Sequence, residues 1–142
     1  MERYFATSVY VYQPQQHKFL FVFDSVKGLW SQPQKVMLPN ELPDEFAKRT
    51  VYEQTGIKVF LAGDLLPSDD DESRPYGIQR DIVIDHKCEY LSLIYLGIPE
   101  VLTSKPGKEN AQWFSLDEII SNDFKADIKS KKWCRYFASL HD

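Results

Sequence analysis

The chain of 142 residues is long enough for one well-cored domain and too short for two. Apolar residues make up 43% and charged residues 27%, and 9 Phe, 8 Tyr and 3 Trp supply large side chains for a core, which excludes a disordered chain. Acidic residues outnumber basic ones 21 to 17, for a net charge of -4, and a general nucleic-acid coat, which needs a basic surface, is excluded.

The N-terminal MERYFATSVYVYQPQ has no basic segment followed by an apolar stretch, so no signal peptide is expected. The longest apolar runs are about five residues, such as Phe19 to Phe23, far short of a transmembrane helix. Two cysteines, Cys88 and Cys134, are too few for a disulfide scaffold, and the expectation is a cytoplasmic protein with free thiols.

Residues 5–12 (FATSVYVY) and 18–23 (KFLFVF) are rich in β-branched and aromatic types and flank the polar QPQQH turn, which predicts a hairpin. Ser25 to Lys35, with Gly28 and Pro33, reads as loop. Pro43 to Thr55 has a helix signature. Proline suits the first helical position, Asp44 and Glu45 complement the positive end of the helix dipole, and Gly56 is a stop. Its buried stripe would be Ala47, Val51 and either Phe46 or Tyr52.

Strands are predicted at 57–62, 77–84 and 88–97, with a polar acidic loop from Pro67 to Pro75 and a turn from Asp85 to Lys87. Residues 98–108 read as a connection and 112–114 as a short strand. Ser115-x-x-Glu118 is a capping box that starts a helix. A last helix is expected over 125–139, with Trp133, Phe137 and Leu140 on one packed face. Strands, a helix, more strands and short helices, without a linker or repeat, predict a single α/β domain over 1–142 with a mixed sheet.

The chemistry lies in Lys35 to Ile57, KVMLPNELPDEFAKRTVYEQTGI. This segment resembles the Nudix box, Gx5Ex7REUxEExGU, where U is aliphatic. With Gly56 on the last glycine, Glu41, Arg49, Val51, Glu53 and Ile57 match, whereas Lys35, Thr50 and Gln54 replace a glycine and two glutamates. The order of flanking elements and the late WFSL, Trp113 to Leu116, extend the resemblance over about residues 5–140. It implies the Nudix α/β/α sandwich around a mixed sheet. It also implies descent from MutT-like hydrolases of nucleoside diphosphates linked to another group.

Positions 50, 53 and 54 are spaced i, i+3 and i+4 and share a helix face. Three glutamates there would repel each other unless hard divalent cations, Mg²⁺ or Mn²⁺, neutralised them. Such cations clamp a diphosphate and activate a water. This chain keeps only Glu53. In some members of the family the residue at the position of Thr50 is the general base, and losing one costs about 10²–10⁴ in rate. The expectation is a pyrophosphatase activity that is weak or absent, with Mg²⁺ or Mn²⁺ needed only if it survives.

Other residues bear on that reading. Glu109 falls where several relatives carry a further metal ligand; the alternative is a solvated loop carboxylate. Glu41 is expected to support the box through Arg49. Lys35 puts a cation near the metal position, where it could neutralise Glu53 directly; the alternative is an exposed lysine. Pro33-Gln34-Lys35 stands where the family often has Pro-Gly-Gly, and Asn40 replaces a glycine but tolerates a left-handed conformation.

The run Asp69 to Glu72 lacks the spacing of a calcium loop and reads as solvated; His86 and Cys88 offer only a weak zinc reading. Trp30, Tyr76 and Tyr90 are candidates to stack on a base, with core packing favoured. Three functions stay open: a hydrolase with relocated ligands, a module that binds a nucleotide-type molecule without cleaving it, and a protein-interaction module. The aromatic content leaves room for a homodimer face.

Overall fold

The computed structural model describes residues 1–63, 74–102 and 104–140. The elements run β1 (Glu2–Gln13), β2 (Lys18–Asp24), β3 (Leu29–Ser31), β4 (Gln34–Val36), α1 (Pro43–Thr55), β5 (Val59–Ala62), β6 (Gly77–Val83), β7 (Cys88–Pro99), β8 (Ala111–Ser115), α2 (Leu116–Ile120) and α3 (Ile128–Ser139). Among the described residues the strands form one mixed sheet with β1 and β7 at its centre.

β1 and β7 pair in parallel from Glu2↔Cys88 to Val11↔Gly97. The other pairings are antiparallel: β2, β4 and β8 extend the sheet on one side, β5 and β6 on the other. Strand alternation sends successive side chains to opposite faces, and each face has its own core. Val9, Val11 and Tyr95 pack with Ala47, Val51, Ile57 and Val59 beneath α1. Tyr10, Tyr12, Ile94 and Leu96 pack with Ile119, Cys134 and Phe137 beneath α2 and α3. The result is the α/β/α sandwich with a central mixed sheet that the sequence predicts.

The β1–β2 hairpin forms at Val11↔Leu20, Tyr12↔Phe19 and Gln13↔Lys18. Its turn puts His17 at φ 55, and the Tyr12 hydroxyl lies 2.8 Å from His17 Nδ1. The predicted loop of residues 25–35 contains strand β3 and most of strand β4. β3 pairs with β2, and β4 pairs with β1 at Ala6↔Val36, Thr7↔Lys35 and Ser8↔Gln34. Strands of three residues carry no periodicity, and β4 finds its partner far away in sequence.

The last helix starts at Ile128, three residues later than predicted, because the Asp127 side chain caps it by accepting from the Lys129 N–H. Leu140 is not on its packed face. It lies at the C-cap and is exposed. The capping box at Ser115 and Glu118 forms with both of its hydrogen bonds. Trp30 and Tyr76 pack on the aromatic core around Phe114, Phe124 and Phe137, and Tyr90 stacks on Tyr4.

Candidate functional site

The site is built where α1, β4 and the Met37–Leu42 turn meet. Pro43 occupies the first turn of α1, and Leu42 at the N-cap gives no side-chain hydrogen bond. The buried stripe is Phe46, Ala47, Thr50, Val51 and Thr55, so Phe46 rather than Tyr52 completes it. At the other end Gly56 has φ 77 and its N–H returns to the Tyr52 carbonyl. A Cβ there would lie 3.1 Å from Gly107 Cα, and the Gly107 N–H donates to the Thr55 carbonyl at 2.8 Å. Glycine is therefore needed twice, for the left-handed backbone and for the close approach. Asn40 does adopt the left-handed conformation, at φ 68.

Four charged residues form a chain across this region. Arg49 Nη2 donates to Glu41 Oε1 at 2.7 Å, and Arg49 Nε lies 3.5 Å from Glu53 Oε1. The second carboxylate oxygen of Glu53 faces Lys35 Nζ at 3.7 Å. The order is thus Glu41, Arg49, Glu53, Lys35, with alternating charge. The guanidinium also lies over the Phe46 ring, 5.4 Å from its centroid. The Glu41 carboxylate holds the Arg49 pKa above its ordinary value, with Glu53 adding to the effect.

The remaining box positions diverge. Thr50 is only 2% exposed and belongs to the packed face of the helix. Gln54 Nε2 donates to the Gln34 carbonyl at 3.1 Å, which ties the helix to β4. Of the three positions at i, i+3 and i+4, one is turned inside, one is ion-paired and one is used on the backbone.

Glu109 is exposed, in the turn before β8. Among the described residues no three His, Cys, Asp or Glu side chains converge as a ligand set for a metal ion, and this includes Glu53, Glu109, His86 and Cys88. The donor set here does not fit a divalent cation. Glu53 has a cation beside each oxygen, and among the described residues no group of three ligands forms around it. The Asp69 to Glu72 run lies outside the described residues.

Next to the chain of charges is a cleft of about 260 Å³ lined by Val22, Phe23, Asp24, Ser31, Gln34 and Gln54. Asp24 Oδ1 is engaged by the N–H groups of Val26 and Lys27. Asp24 and Ser31 come beside Gln54 only in the folded sheet, where the pairing of β2 with β3 places them. Both cysteines are free and buried, and burial pushes the Cys134 thiol pKa up, away from nucleophilic use. Among the described residues no helix is long and apolar enough to cross a membrane.

Solved structures with this fold include a NUDIX-family hydrolase from Clostridium perfringens. It is 16% identical, covers 100% of both chains and has a TM-score of 0.77. A MutT protein from Methanosarcina mazei Go1 matches at 15% identity and TM-score 0.73, over 99% of this chain and 96% of that one. A NUDIX hydrolase from Nitrosomonas europaea matches at 20% identity and TM-score 0.71, over 97% and 90%. No curated relative matches in sequence. The model of the NUDIX domain matches residues 2–137, so the chain belongs to the NUDIX domain family.

Proposed function

We propose that this is a NUDIX-domain protein whose metal-dependent hydrolysis of nucleoside diphosphates linked to another group is impaired or absent. Side-chain cations take the place of divalent ions at the box. The observation that carries this reading is the position of Lys35 and Arg49, one on each carboxylate oxygen of Glu53, at 3.7 and 3.5 Å. A divalent ion would have to displace both cations and would then find one carboxylate. Hard cations of this kind are held by several oxygen ligands. The loss of carboxylates at positions 50 and 54 removes charge from the same face.

A second reading is a module that holds a nucleotide-type ligand without cleaving it. The cleft beside Gln54 favours it, because it supplies two amides, a hydroxyl and a carboxylate for polar contacts. A hydrolase with relocated ligands, Glu109 among them, is the third.

The test is a hydrolysis screen with nucleoside triphosphates, dinucleoside polyphosphates, nucleotide sugars and dinucleotide cofactors, with Mg²⁺ and then Mn²⁺. The expected result is turnover indistinguishable from the Glu53→Gln variant. Turnover that disappears in Glu53→Gln would overturn the reading and favour relocated ligands. A nucleotide-induced rise in melting temperature that needs no metal would favour the binding module.

A further inference from the structure

On the opposite face of the sheet from α1, a second cleft of about 390 Å³ opens between β6 and α3. Its volume lies within the range of small-molecule pockets. It is lined by Tyr76, Gln79, Lys129, Lys132, Trp133 and Tyr136, and shares no residue with the box or with the cleft beside Gln54.

The aromatic wall is fixed in place. Trp133 Nε1 donates to Gln79 Oε1 at 2.9 Å, and the indole is backed by Phe137, with ring centroids 5.7 Å apart and planes at 26°. Gly77 allows the indole to lie directly on β6, since a Cβ there would come within 3.1 Å of the ring. Tyr136 meets Trp133 edge-on at 5.8 Å, also touches Phe137 and remains 46% exposed, so a flat ring entering the cleft meets a rigid surface and an accessible one.

Charge in the cleft is unbalanced. Lys129 is held by Asp81 Oδ1 at 2.6 Å and by the Arg80 carbonyl. The other oxygen of Asp81 accepts from Gln79 Nε2 at 2.9 Å, so this carboxylate is engaged on both sides. Lys132 lines the cleft with no ion-pair partner among the described residues.

We propose that this cleft binds a planar aromatic ring carrying an anionic group, phosphate or carboxylate. The ring stacks against Trp133 and Tyr136, and the anion meets Lys132. A ring alone would gain stacking without charge, and a small anion alone would meet one solvated lysine. The combination uses both halves of the site. This inference is independent of what the box does.

The test is calorimetric titration of the full chain with 2-naphthyl phosphate, 2-naphthoate and 2-naphthol. The ring is constant and the two anions separate the phosphate source from the carboxylate source. At least one anion is expected to bind about tenfold more tightly than the naphthol. Lys132→Gln should bring that anion to the naphthol level and leave the naphthol unchanged. Tyr136→Ala should weaken all the ligands that bind. Both residues are exposed, so neither variant threatens the fold. Binding by no anion overturns the proposal, as does binding unchanged in Lys132→Gln. Loss of binding in Glu53→Gln would also overturn it, since that places the ligand at the box.

Discussion

Lys35 Nζ lies 3.7 Å from Glu53 Oε2, so a lysine on strand β4 meets the one remaining carboxylate of the helix face. Both side chains are about half exposed, at 51% and 50%, and exposed pairs of this kind contribute only about 0–1 kcal/mol. The pair matters for charge more than for stability. Lys35→Ala is therefore expected to change unfolding free energy by less than about 0.5 kcal/mol in urea titrations. Mn²⁺ titration of that variant should show no tight binding, because one carboxylate does not make a site. Tight Mn²⁺ binding by Lys35→Ala alone would show that the lysine was the only barrier.

Restoring the two glutamates should not be equally easy. Gln54→Glu is near the surface and should fold normally. Thr50→Glu puts a carboxylate into a position that is 2% exposed, where an unpaired charge is costly. It should lower stability by at least about 2 kcal/mol more than Gln54→Glu, read from denaturant midpoints. Equal stabilities would show that the helix can turn this position outward.

Gly56→Ala combines a left-handed φ of 77 with a 3.1 Å contact to the Gly107 backbone. About 1 kcal/mol is expected from the dihedral alone and more from the displaced backbone, for a loss of about 2–3 kcal/mol. Gly56→Asn should be nearly as damaging, because asparagine eases the dihedral and not the contact. Full rescue by asparagine would mean that the contact relaxes freely.

Glu89 is buried between two arginines, with Arg3 Nε at 2.5 Å and Arg80 Nε at 2.6 Å. The Arg80 and Arg3 hydrogen bonds hold its pKa below the ordinary 4.5. A depressed carboxylate pKa gives stability that is fully present above the unfolded value and lost as pH falls through the folded value. Melting temperature should therefore fall more steeply below pH 4.5 in the parent chain than in Glu89→Gln, although the variant starts lower at pH 7. Parallel curves would exclude this role.

The Thr7 hydroxyl is buried and has no hydrogen-bond partner among the described residues. Thr7→Val keeps the shape and removes the unpaired group. Stabilisation of about 1 kcal/mol, or roughly 3–4 °C in thermal melts, is expected. Destabilisation would reveal a partner for the hydroxyl.

Local chemistry makes much of this architecture legible in the sequence. Pro43, the acidic first turn and Gly56 define α1 without reference to anything distant, and Ser115 with Glu118 does the same for α2. β-Branched and aromatic enrichment over residues 5–12 and 18–23, on either side of a polar turn, is enough for a hairpin. β4 is hidden because three residues at Gln34–Val36 become a strand only by pairing with β1. The same pairing aims Lys35 at Glu53. Sequence offers that contact as one alternative and has no means to choose it. Helical spacing groups Thr50 with Glu53 and Gln54 on one face. The packing of α1 on the sheet decides which edge of that group is inside, and spacing alone does not contain it.

The central pairing of β1 with β7 joins residues 2–11 to residues 88–97. Contacts so distant in sequence are closed late and slow folding. During synthesis the first strand leaves the ribosome long before β7 exists, and β2 and β4 pair only with its opposite edge. The nascent chain must carry an unpaired, aromatic-rich strand edge until Cys88 to Gly97 emerge. Its exposure to aggregation and to chaperones is set by that interval.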